Sequence, residues 1–547
     1  MKSLLHTAGK KILEIINHHS YLSLLIIIAF GLFLRTVNFT DNFYFGHDQA
    51  RDLLRIYDMI HTPNLKIVGP ETDIPGLFCG PLYYYLLGIF YAISNFDPNA
   101  GVFMHILINL TGIPLLYYFG SVIKDKKLGV IASVLWAVSF EQINYSHWLS
   151  NPAFLSISTT IFFLGLYLFF IKKRQIGLPI SMIGYGIGTQ LDFYLVYLFI
   201  FYPLMYFFFP QKPDRKSVLQ SLTIFILLFG SFAIAEIRFH FIGIQSFFGY
   251  VTGQSLAINI FDRLEMFVNG ISKSLYYSLF VLNNFFALLI FVALGVIVFW
   301  KEKWSPTLIF LSIWLLSTFP LFGFSQTNIV SGTFVHGSIQ GVITILVAFG
   351  IYTLIKVRKH YFAYLILGGF IIGNIVLFAQ NNFSATTILG HQNWIYKDQK
   401  DVVEYTYESA RSKPFSICAM TNPLFINNHW STMYYLNGQK EYNYLPIWTG
   451  PAQEGDTFFE ESSDRPMTRY LIIDPSHQFM DFAYRVTVYA EDQVSVLDDQ
   501  KKFGEIIVQK RHIPEDPSEL KDTQNLTPEQ HAEVLKVLSI DPRYSCR

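Results

Sequence analysis

Long apolar runs, separated by short polar stretches, dominate the first 380 residues of the chain. A helix needs about 20 mostly apolar residues to cross the hydrocarbon core of a bilayer. By that criterion the pattern predicts about eleven membrane-spanning helices, at 20–38, 100–123, 128–144, 153–171, 176–191, 193–210, 217–236, 276–300, 305–323, 338–356 and 361–379. The predicted fold class is therefore an α-helical polytopic membrane protein.

Composition agrees with this picture and excludes several other classes. Of the 547 residues, 52% are hydrophobic and only 15% are charged, whereas about a quarter are charged in a typical globular protein. The formal net charge is zero, which argues against a basic nucleic-acid binder. Three cysteines are too few for a disulfide scaffold or a cysteine-rich zinc module. We expect free thiols, with a Cys79–Cys418 bridge as the alternative.

The apolar segment 82–96 is too short for an ordinary span, and the distribution of charge decides its placement. If it stays at the membrane surface as an interfacial helix, 17 Lys and Arg residues of the first 380 fall on one side and seven on the other. By the positive-inside rule, the richer side, which includes the N-terminus, is predicted to be cytoplasmic. The first outer loop (39–99), a loop near 237–275 and residues 381–547 are then predicted to lie outside.

Residues 381–547 are more polar and are long enough for a small domain of their own. Their pattern predicts an α/β domain, with an amphipathic helix, four short strands and a final helix that begins with Thr527 and Pro528. The predicted helix spans 398–411, and the predicted strands are 415–420, 470–474, 485–489 and 504–510. We therefore expect a transmembrane domain over 1–380 and an extracytoplasmic α/β domain over 381–547.

The strongest candidate chemistry lies in the first outer loop, in residues 45–52 (FGHDQARD). Asp48, Arg51, Asp52 and Arg55 are spaced so that they share one face if 48–60 is helical. A carboxylate there suits a general base or a metal ligand, and an arginine suits a phosphate. The alternative is an ion-pair face that only solvates the helix. The opposite, apolar face predicts a helix that lies on the bilayer; it consists of Leu53, Leu54, Ile56, Met59 and Ile60.

Further polar residues lie at the predicted outer ends of the spans. They form three groups and a single histidine: Tyr145, His147, Trp148 and Asn151; Gln190 and Asp192; Glu236, Arg238 and His240; and His336. Each alone is typical of an interfacial side chain, but clusters on one membrane face favour a shared cavity. No nucleotide-binding or metalloprotease motif has the context that it needs, and ionisable residues deep inside the spans are scarce.

The chain resembles the glycosyltransferase C superfamily in the order of its features: a first span, an outer loop that carries an aspartate, many further spans and a C-terminal domain outside the cytoplasm. The similarity is to the branch with protein O-mannosyltransferases and the lipid A aminoarabinose transferase, and more specifically to bacterial members with a DQARD loop. It covers about residues 20–380. The blocks that carry it are Phe45–Asp52, Gly76–Tyr85, Asn151-Pro152, Gln190–Phe193 and Glu236–Arg238.

The resemblance implies an inverting transferase that moves a monosaccharide from a polyprenyl-phosphate donor to an extracytoplasmic acceptor, in the bacterial inner membrane. It implies that Asp48 is the general base. Arg51, Arg55, Lys66 and Arg238 are the candidates for binding the donor phosphate. The candidates for the sugar and acceptor pocket are His47, Gln49, Asp52, His147, Asn151, Gln190, Asp192, Glu236, His240 and His336.

The expected partners are the lipid-linked sugar, the bilayer and a protein, lipid or polysaccharide acceptor, without nucleic acid. Related sequences usually carry Asp-Glu where this chain has Asp48-Gln49, and a divalent metal stays open. Two other readings also stay open: a transporter or flippase of lipid-linked sugars, and an oligosaccharide or O-antigen-type ligase. A transporter predicts polar residues at mid-membrane depth and two related halves.

Overall fold

The computed structural model describes residues 20–252, 259–279, 283–324, 337–384, 394–411, 413–451, 457–460, 466–475 and 480–546. The chain forms two compact units. Unit 1 comprises 1–39, 65–90 and 100–389, and unit 2 comprises 40–64, 91–99 and 390–547. Two segments of the first outer loop thus belong to the same compact unit as the C-terminal residues. The predicted domain boundary near residue 380 stays a prediction.

Most helices up to residue 380 follow the predicted apolar runs, with breaks inside several of them, but residues 47–61, 242–252 and most of 260–279 form helices within the predicted outer loops. In chain order they are α1 (Ser20–Thr36), α2 (His47–His61), α3 (Leu82–Ser94), α4 (Pro98–Leu110), α5 (Gly112–Ile123), α6 (Lys126–Val138), α7 (Phe140–His147), α8 (Leu155–Leu166), α9 (Gly177–Leu191), α10 (Phe201–Phe208), α11 (Arg215–Arg238), α12 (Ile242–Thr252), α13 (Ile260–Leu279), α14 (Asn284–Glu302), α15 (Pro306–Leu315), α16 (Phe319–Phe324), α17 (Gln340–Lys356) and α18 (His360–Gln380).

Six helical stretches among the described residues are long and apolar enough to cross a membrane. They are Pro98–Ile123, Asn151–Ile171, Arg215–Arg238, Asn284–Glu302, Gly337–Lys356 and His360–Gln380. The polytopic helical class is therefore confirmed, whereas the count of eleven spans stays a prediction. Helix α3 has 13 residues, fewer than the roughly 20 that a spanning helix needs.

Burial separates the inner helices of unit 1 from the outer ones. In the apolar windows of Asn151–Ile171 and Gly337–Lys356, 89% of the residues are buried, against 11% for Arg215–Arg238. The first two stretches form the centre of the unit, and the third presents Leu and Phe side chains outward. Helices α8 and α9 pack backbone to backbone, since a Cβ added at Gly165 would overlap the Ser181 backbone nitrogen. Small residues permit such close packing in membrane proteins.

Arg35 and Glu141 are among the ionisable side chains that are buried within the predicted spans of the described part of unit 1. Arg35 donates from Nε to Asn109 Oδ1 at 2.9 Å and from Nη1 to the Ala137 carbonyl at 2.9 Å. Asn109 in turn donates to Gln142 Oε1 at 3.1 Å. Because no water is at hand in an apolar interior, each polar group must find a partner within the protein. These bonds tie α1, α4, α6 and α7 together.

Glu141 of α7 belongs to a second buried network, which joins α7 to α13 and α17. Ser274 Oγ lies 3.0 Å from Glu141 Oε1, and Ser278 Oγ lies 2.7 Å from Glu141 Oε2 and 2.9 Å from Gln340 Oε1. Gln340 Nε2 donates to Ser274 Oγ. Ser278 has one proton for two acceptors, so the ring closes with one donor per bond when Glu141 is a neutral acid.

We expect Glu141→Gln to keep the apparent melting temperature of the detergent-solubilised protein near that of the wild type, because an amide also supplies one donor and one acceptor. Glu141→Leu leaves Ser274, Ser278 and Gln340 with unsatisfied polar atoms and should destabilise the protein by about 2–3 kcal/mol. Thermal unfolding of the three proteins checks this. Equal losses for both variants would contradict the ring.

Unit 2 contains the α/β part of the fold, as predicted. Its remaining elements are α19 (Tyr396–Ser409), β1 (Ser416–Met420), α20 (Asn428–Met433), β2 (Ile447–Trp448), β3 (Thr468–Ile473), α21 (Asp481–Asp492), β4 (Val496–Phe503), β5 (Ile506–His512) and α22 (Pro528–Ile540). The sheet has the order β2-β1-β3-β5-β4. The β2–β1 and β1–β3 pairs are parallel, and β5 is antiparallel to β3 and β4.

The predicted strand 485–489 is wrong, because these residues belong to helix α21. Its β-branched residues favour a strand locally, but Val486 and Tyr489 are three positions apart and pack together against Val534 of α22. That tertiary contact requires helical spacing. The predicted start of α22 is confirmed, since Thr527 and Gln530 form a reciprocal capping box.

Two buried ion pairs fasten α21 to the sheet. Arg469 of β3 donates to Glu491 Oε1 at 2.8 Å, and Arg511 of β5 donates to Asp492 Oδ1 at 2.7 Å. All four side chains are almost completely buried, so loss of one partner would leave an uncompensated charge.

The expectation of free thiols holds for Cys79 but is wrong for Cys418 and Cys546, and the alternative Cys79–Cys418 bridge is wrong as well. Cys418 of β1 forms a disulfide with Cys546, 128 residues further along the chain, and Cys79 is a buried thiol outside this bridge. Sequence spacing gave no sign of this pair, because the two cysteines meet only when the C-terminal residues pack against the sheet beside Leu471 and Ile473.

Candidate active site

The predicted helix over the DQARD segment is confirmed as α2, which begins at His47. Gln49 fixes this start, since its Oε1 accepts a hydrogen bond from the Gly46 backbone N–H at 3.0 Å. The Gln49 side chain is buried and bonded to this backbone group, so it caps the start of α2. Its predicted place in a sugar pocket stays a prediction.

Asp48 occupies the first turn of α2, where the helix dipole favours a negative charge. Arg51 Nη1 donates to Asp48 Oδ1 at 2.8 Å, and Arg51 Nη2 donates to Asp52 Oδ1 at 2.9 Å. The two carboxylates differ in access, because the Asp48 side chain is 61% exposed and that of Asp52 is 4% exposed. Asp48 is therefore an accessible carboxylate that is oriented by Arg51, while Asp52 holds Arg51 from the protein side. Arg55, one turn further, is exposed.

The apolar face of α2 does not lie on the bilayer as predicted. Leu53, Leu54 and Ile56 are buried, and α2 packs against α20 of the same unit. Tyr57 continues this contact, with its hydroxyl 2.9 Å from that of Tyr435. An apolar stripe on a helix is satisfied equally well by protein or by lipid, so the pattern alone could not distinguish the two.

His47 and Asn428 hold each other through two hydrogen bonds. His47 Nδ1 lies 2.9 Å from Asn428 Oδ1, and Asn428 Nδ2 donates to the His47 carbonyl at 3.2 Å. Because that carbonyl can only accept, Asn428 presents its oxygen to the ring, and Nδ1 carries the proton. The lone pair of a neutral His47 is therefore on Nε2.

A buried polar cluster of unit 2, which sequence reasoning missed, adjoins this pair. His429 Nε2 lies 3.5 Å from Asp474 Oδ2, and Trp430 Nε1 donates to Asp474 Oδ1 at 3.0 Å. Asp474 follows β3, at the carboxyl edge of the parallel strands β1 and β3, where ligands often bind in α/β sheets. An acidic residue at the end of the predicted strand 470–474 was the available signal. Burial, together with the Asp48 and Asp474 carboxylates, raises the pKa of nearby Tyr44.

The pKa of His47 is lowered from its ordinary value, first by burial and further by Arg51 and His429, against the opposing effect of Asn428 and Asp48. A lowered pKa of the folded form keeps His47 neutral, so stability is lost as the pH falls below about 6.5, where the unfolded chain takes up the proton. We expect His47→Gln to lose less apparent melting temperature than the wild type between pH 7 and pH 5.

His61→Gln is the matched control, because His61 lies exposed in the last turn of the same helix. It should retain the wild-type pH dependence. An unchanged acid loss in His47→Gln would show that His47 is not the group responsible.

In unit 1, three of the sequence blocks that carry the family resemblance meet at a hairpin formed by residues 69–80. They are Gly76–Tyr85, Asn151-Pro152 and Gln190–Phe193. Gly69 N–H donates to the Cys79 carbonyl at 2.8 Å and Cys79 N–H to the Pro70 carbonyl at 2.8 Å. Asn151 Nδ2 donates to the Leu191 carbonyl and lies 3.8 Å from Cys79 Sγ. Sequence order placed these blocks far apart, and the hairpin brings them together.

Gln190 holds the end of this hairpin on α9. Its carbonyl accepts the Gly80 N–H at 2.9 Å, and its Oε1 accepts the Leu82 N–H at 3.3 Å. A Cβ at position 80 would overlap the Gln190 side chain, so a larger residue there would displace the Gln190 amide. Gln190 Nε2 also donates to Ser231 Oγ at 2.9 Å. Asn151 and Gln190 thus position backbone, and their predicted contact with a sugar stays a prediction.

Three of the other predicted pocket residues of unit 1, Asp192, Glu236 and His147, make local contacts. Glu236 Oε2 accepts the Ile244 N–H at 3.2 Å at the start of α12, and Asp192 caps the turn that follows α9. His147 is buried, and its Nε2 lies 2.7 Å from the Arg35 carbonyl. Lys66 is half-buried, whereas Arg238 and His240 are exposed at the end of α11. His336 lies outside the described residues.

No group of three or more His, Cys, Asp or Glu side chains that could hold a metal ion occurs in the part of the chain that the structure describes. Asp48 and Asp52 could supply carboxylate oxygens, but both already accept from Arg51. Whether the protein binds a divalent metal therefore stays open, as in the sequence analysis.

Comparison with known proteins identifies a family region and a fold. Residues 78–236 match the family described as dolichyl-phosphate-mannose-protein mannosyltransferase. Two crystal structures of ArnT from Cupriavidus metallidurans are similar to most of the chain, one bound to undecaprenyl phosphate (TM-score 0.55) and one in the apo state (TM-score 0.52). Each is 9% identical and covers 89% of this chain and 97% of its own. No curated protein matches the sequence.

The match region begins within the hairpin at Phe78 and ends at Glu236, so it contains Asn151, Gln190 and Asp192 but not Asp48. The resemblance that the sequence suggested is confirmed at two levels: residues 78–236 match the mannosyltransferase family, and the chain has the fold of ArnT.

Proposed function

We propose that this protein is an integral-membrane glycosyltransferase that moves a sugar from a polyprenyl-phosphate donor to an extracytoplasmic acceptor, with inversion at the anomeric carbon. The observation that carries the proposal is Asp48, an exposed carboxylate held by Arg51 at the start of α2. The family region over 78–236 and the ArnT fold support the same chemistry.

In the proposed reaction an Asp48 oxygen accepts the proton of an acceptor hydroxyl as that oxygen attacks the anomeric carbon. The new glycosidic bond forms on one face of the sugar while the bond to the phosphate oxygen breaks on the other. Polyprenyl phosphate leaves with the bonding electron pair. A phosphate leaving group needs little protonation, so a single carboxylate suffices.

Cations must stabilise the charge that develops on the departing phosphate. Arg55 is exposed on the same helix as Asp48, and Arg51 has further N–H groups beyond those that hold the carboxylates. Lys66 and Arg238 of unit 1 remain candidates for the same role. Arginine suits phosphate because its planar group can bind two oxygens at once.

In the proposed orientation the protein lies in a bacterial inner membrane, with unit 2 outside the cytoplasm. The Cys418–Cys546 disulfide supports this side, because disulfides persist in oxidising compartments and are rare in the cytosol. The charge asymmetry of the loops supports it independently, with 17 basic residues on the predicted inner side and six in the predicted outer loops, Arg35 lying inside the first span.

Purified full-length protein in detergent, supplied with a polyprenyl-phosphate sugar and an extract of cell-envelope glycans, should release free polyprenyl phosphate and label the acceptor. We expect Asp48→Asn to reduce this release by about 10²–10⁴-fold, because it removes the proton acceptor without changing side-chain size. Radiolabelled donor and thin-layer chromatography provide the measurement.

Asp58→Asn is the matched control, since it makes the same change on the same helix at a carboxylate that accepts from Thr62 and Asn64. It should keep wild-type release. Full activity in Asp48→Asn would rule out Asp48 as the base. A flippase would release no polyprenyl phosphate in detergent, where no compartments exist.

A further inference from the structure

A concave site of unit 2 is separate from Asp48 and its partner Arg51. It is a cavity of about 370 Å³ between residues 40–41, 94–99, α19 and the segment 436–440. This volume lies at the lower end of the range for small-molecule sites. Neither the predicted catalytic residues nor the predicted pocket residues line it.

The polar lining of the cavity is cross-linked and therefore fixed in place. Asn99 Nδ2 donates to Asp41 Oδ1 at 2.8 Å and to Asp97 Oδ1 at 2.9 Å. Lys400 Nζ donates to Asp41 Oδ2 at 3.2 Å. These bonds hold two carboxylates, an amide and an ammonium group at set positions, with lone pairs and N–H groups left over for a ligand.

The opposite wall is equally ordered. Asn437 exchanges hydrogen bonds with the hydroxyl of Tyr396, at 3.2 and 3.3 Å. The buried Tyr396 ring stacks on Phe43, with ring centroids 5.1 Å apart. Lys440 Nζ donates to the Asn95 carbonyl at 2.6 Å, which leaves two further N–H donors on that side chain.

The charges of the lining exclude several classes of ligand. Asp41 and Asp97 would repel a phosphate, and Lys400 and Lys440 would repel a divalent cation. An apolar chain would remove water from these polar groups without replacing its hydrogen bonds, which is unfavourable. Fixed donors and acceptors that alternate around a cavity of zero formal charge suit a ligand in which every group both donates and accepts. Hydroxyl groups have that property.

We propose that this cavity binds a neutral carbohydrate, namely the polyhydroxylated end of the acceptor. The assignment to the acceptor rests on the proposed function, whereas binding of a sugar does not require transfer to occur. The acceptor is thereby a glycan, rather than a protein hydroxyl or an apolar lipid.

The test uses the full-length protein in lipid nanodiscs and saturation-transfer NMR. The probes are uncharged trisaccharides (mannotriose, maltotriose, cellotriose and chitotriose), with trigalacturonate and a Ser/Thr-rich peptide as competing classes. We expect at least one uncharged trisaccharide to bind with a Kd on the order of 1 mM. Asn437→Leu and Lys440→Met should each weaken that binding by about tenfold, the effect of one lost hydrogen bond.

Lys536→Met is the matched control, because it removes the same charge from an exposed position of unit 2 on α22, outside the cavity lining. It should bind like the wild type, and thermal unfolding verifies that all variants fold. The proposal is overturned if no uncharged trisaccharide binds, if binding is unaffected by Asn437→Leu and Lys440→Met, or if the peptide or trigalacturonate binds more tightly.

The two tests distinguish failure of the proposed transfer reaction from failure of the proposed sugar binding. Trisaccharide binding without release of polyprenyl phosphate supports the cavity and contradicts the proposed function. Release without trisaccharide binding supports the proposed function and contradicts the cavity.

Discussion

The structure depends on one constraint: a polar side chain that is removed from water must find its partner within the protein. In unit 1 this constraint links helices, because Arg35 and Glu141 each gather groups from several of them. In unit 2 it fastens α21 to the sheet through Arg469 and Arg511. The exposed exceptions, above all Asp48, are then the groups that remain accessible to a substrate.

The same constraint explains what most of the predicted pocket residues do. Gln49, Asn151, Gln190 and Glu236 all point polar atoms at backbone groups, where they fix a helix start, a hairpin and a turn. Such residues position a site by holding the backbone around it. Asp48 differs, because its carboxylate is bound by a single arginine and is largely exposed.

The sequence was sufficient wherever the signal was local. Apolar runs gave the helical class, spacing gave α2, and Thr527 gave the start of α22, because each follows from neighbouring residues. It failed where distant segments decide the outcome. The Cys418–Cys546 bridge, the helix at 485–489 and the pairing of His47 with Asn428 depend on contacts between residues that are far apart in the chain, and no single-sequence pattern contains them. The sequence pattern showed the apolar face of α2 but not that α20 packs against this helix.

The central claim is that one accessible carboxylate drives a direct displacement at the anomeric carbon. The anomeric configuration of the transferred sugar tests it most directly, since a single displacement inverts the configuration that the sugar has in the donor, whereas a covalent glycosyl-enzyme intermediate retains it. Nuclear magnetic resonance of the product's anomeric proton, compared with that of the polyprenyl-phosphate donor, provides the measurement. The account predicts inversion, and a product with the donor's configuration would contradict it.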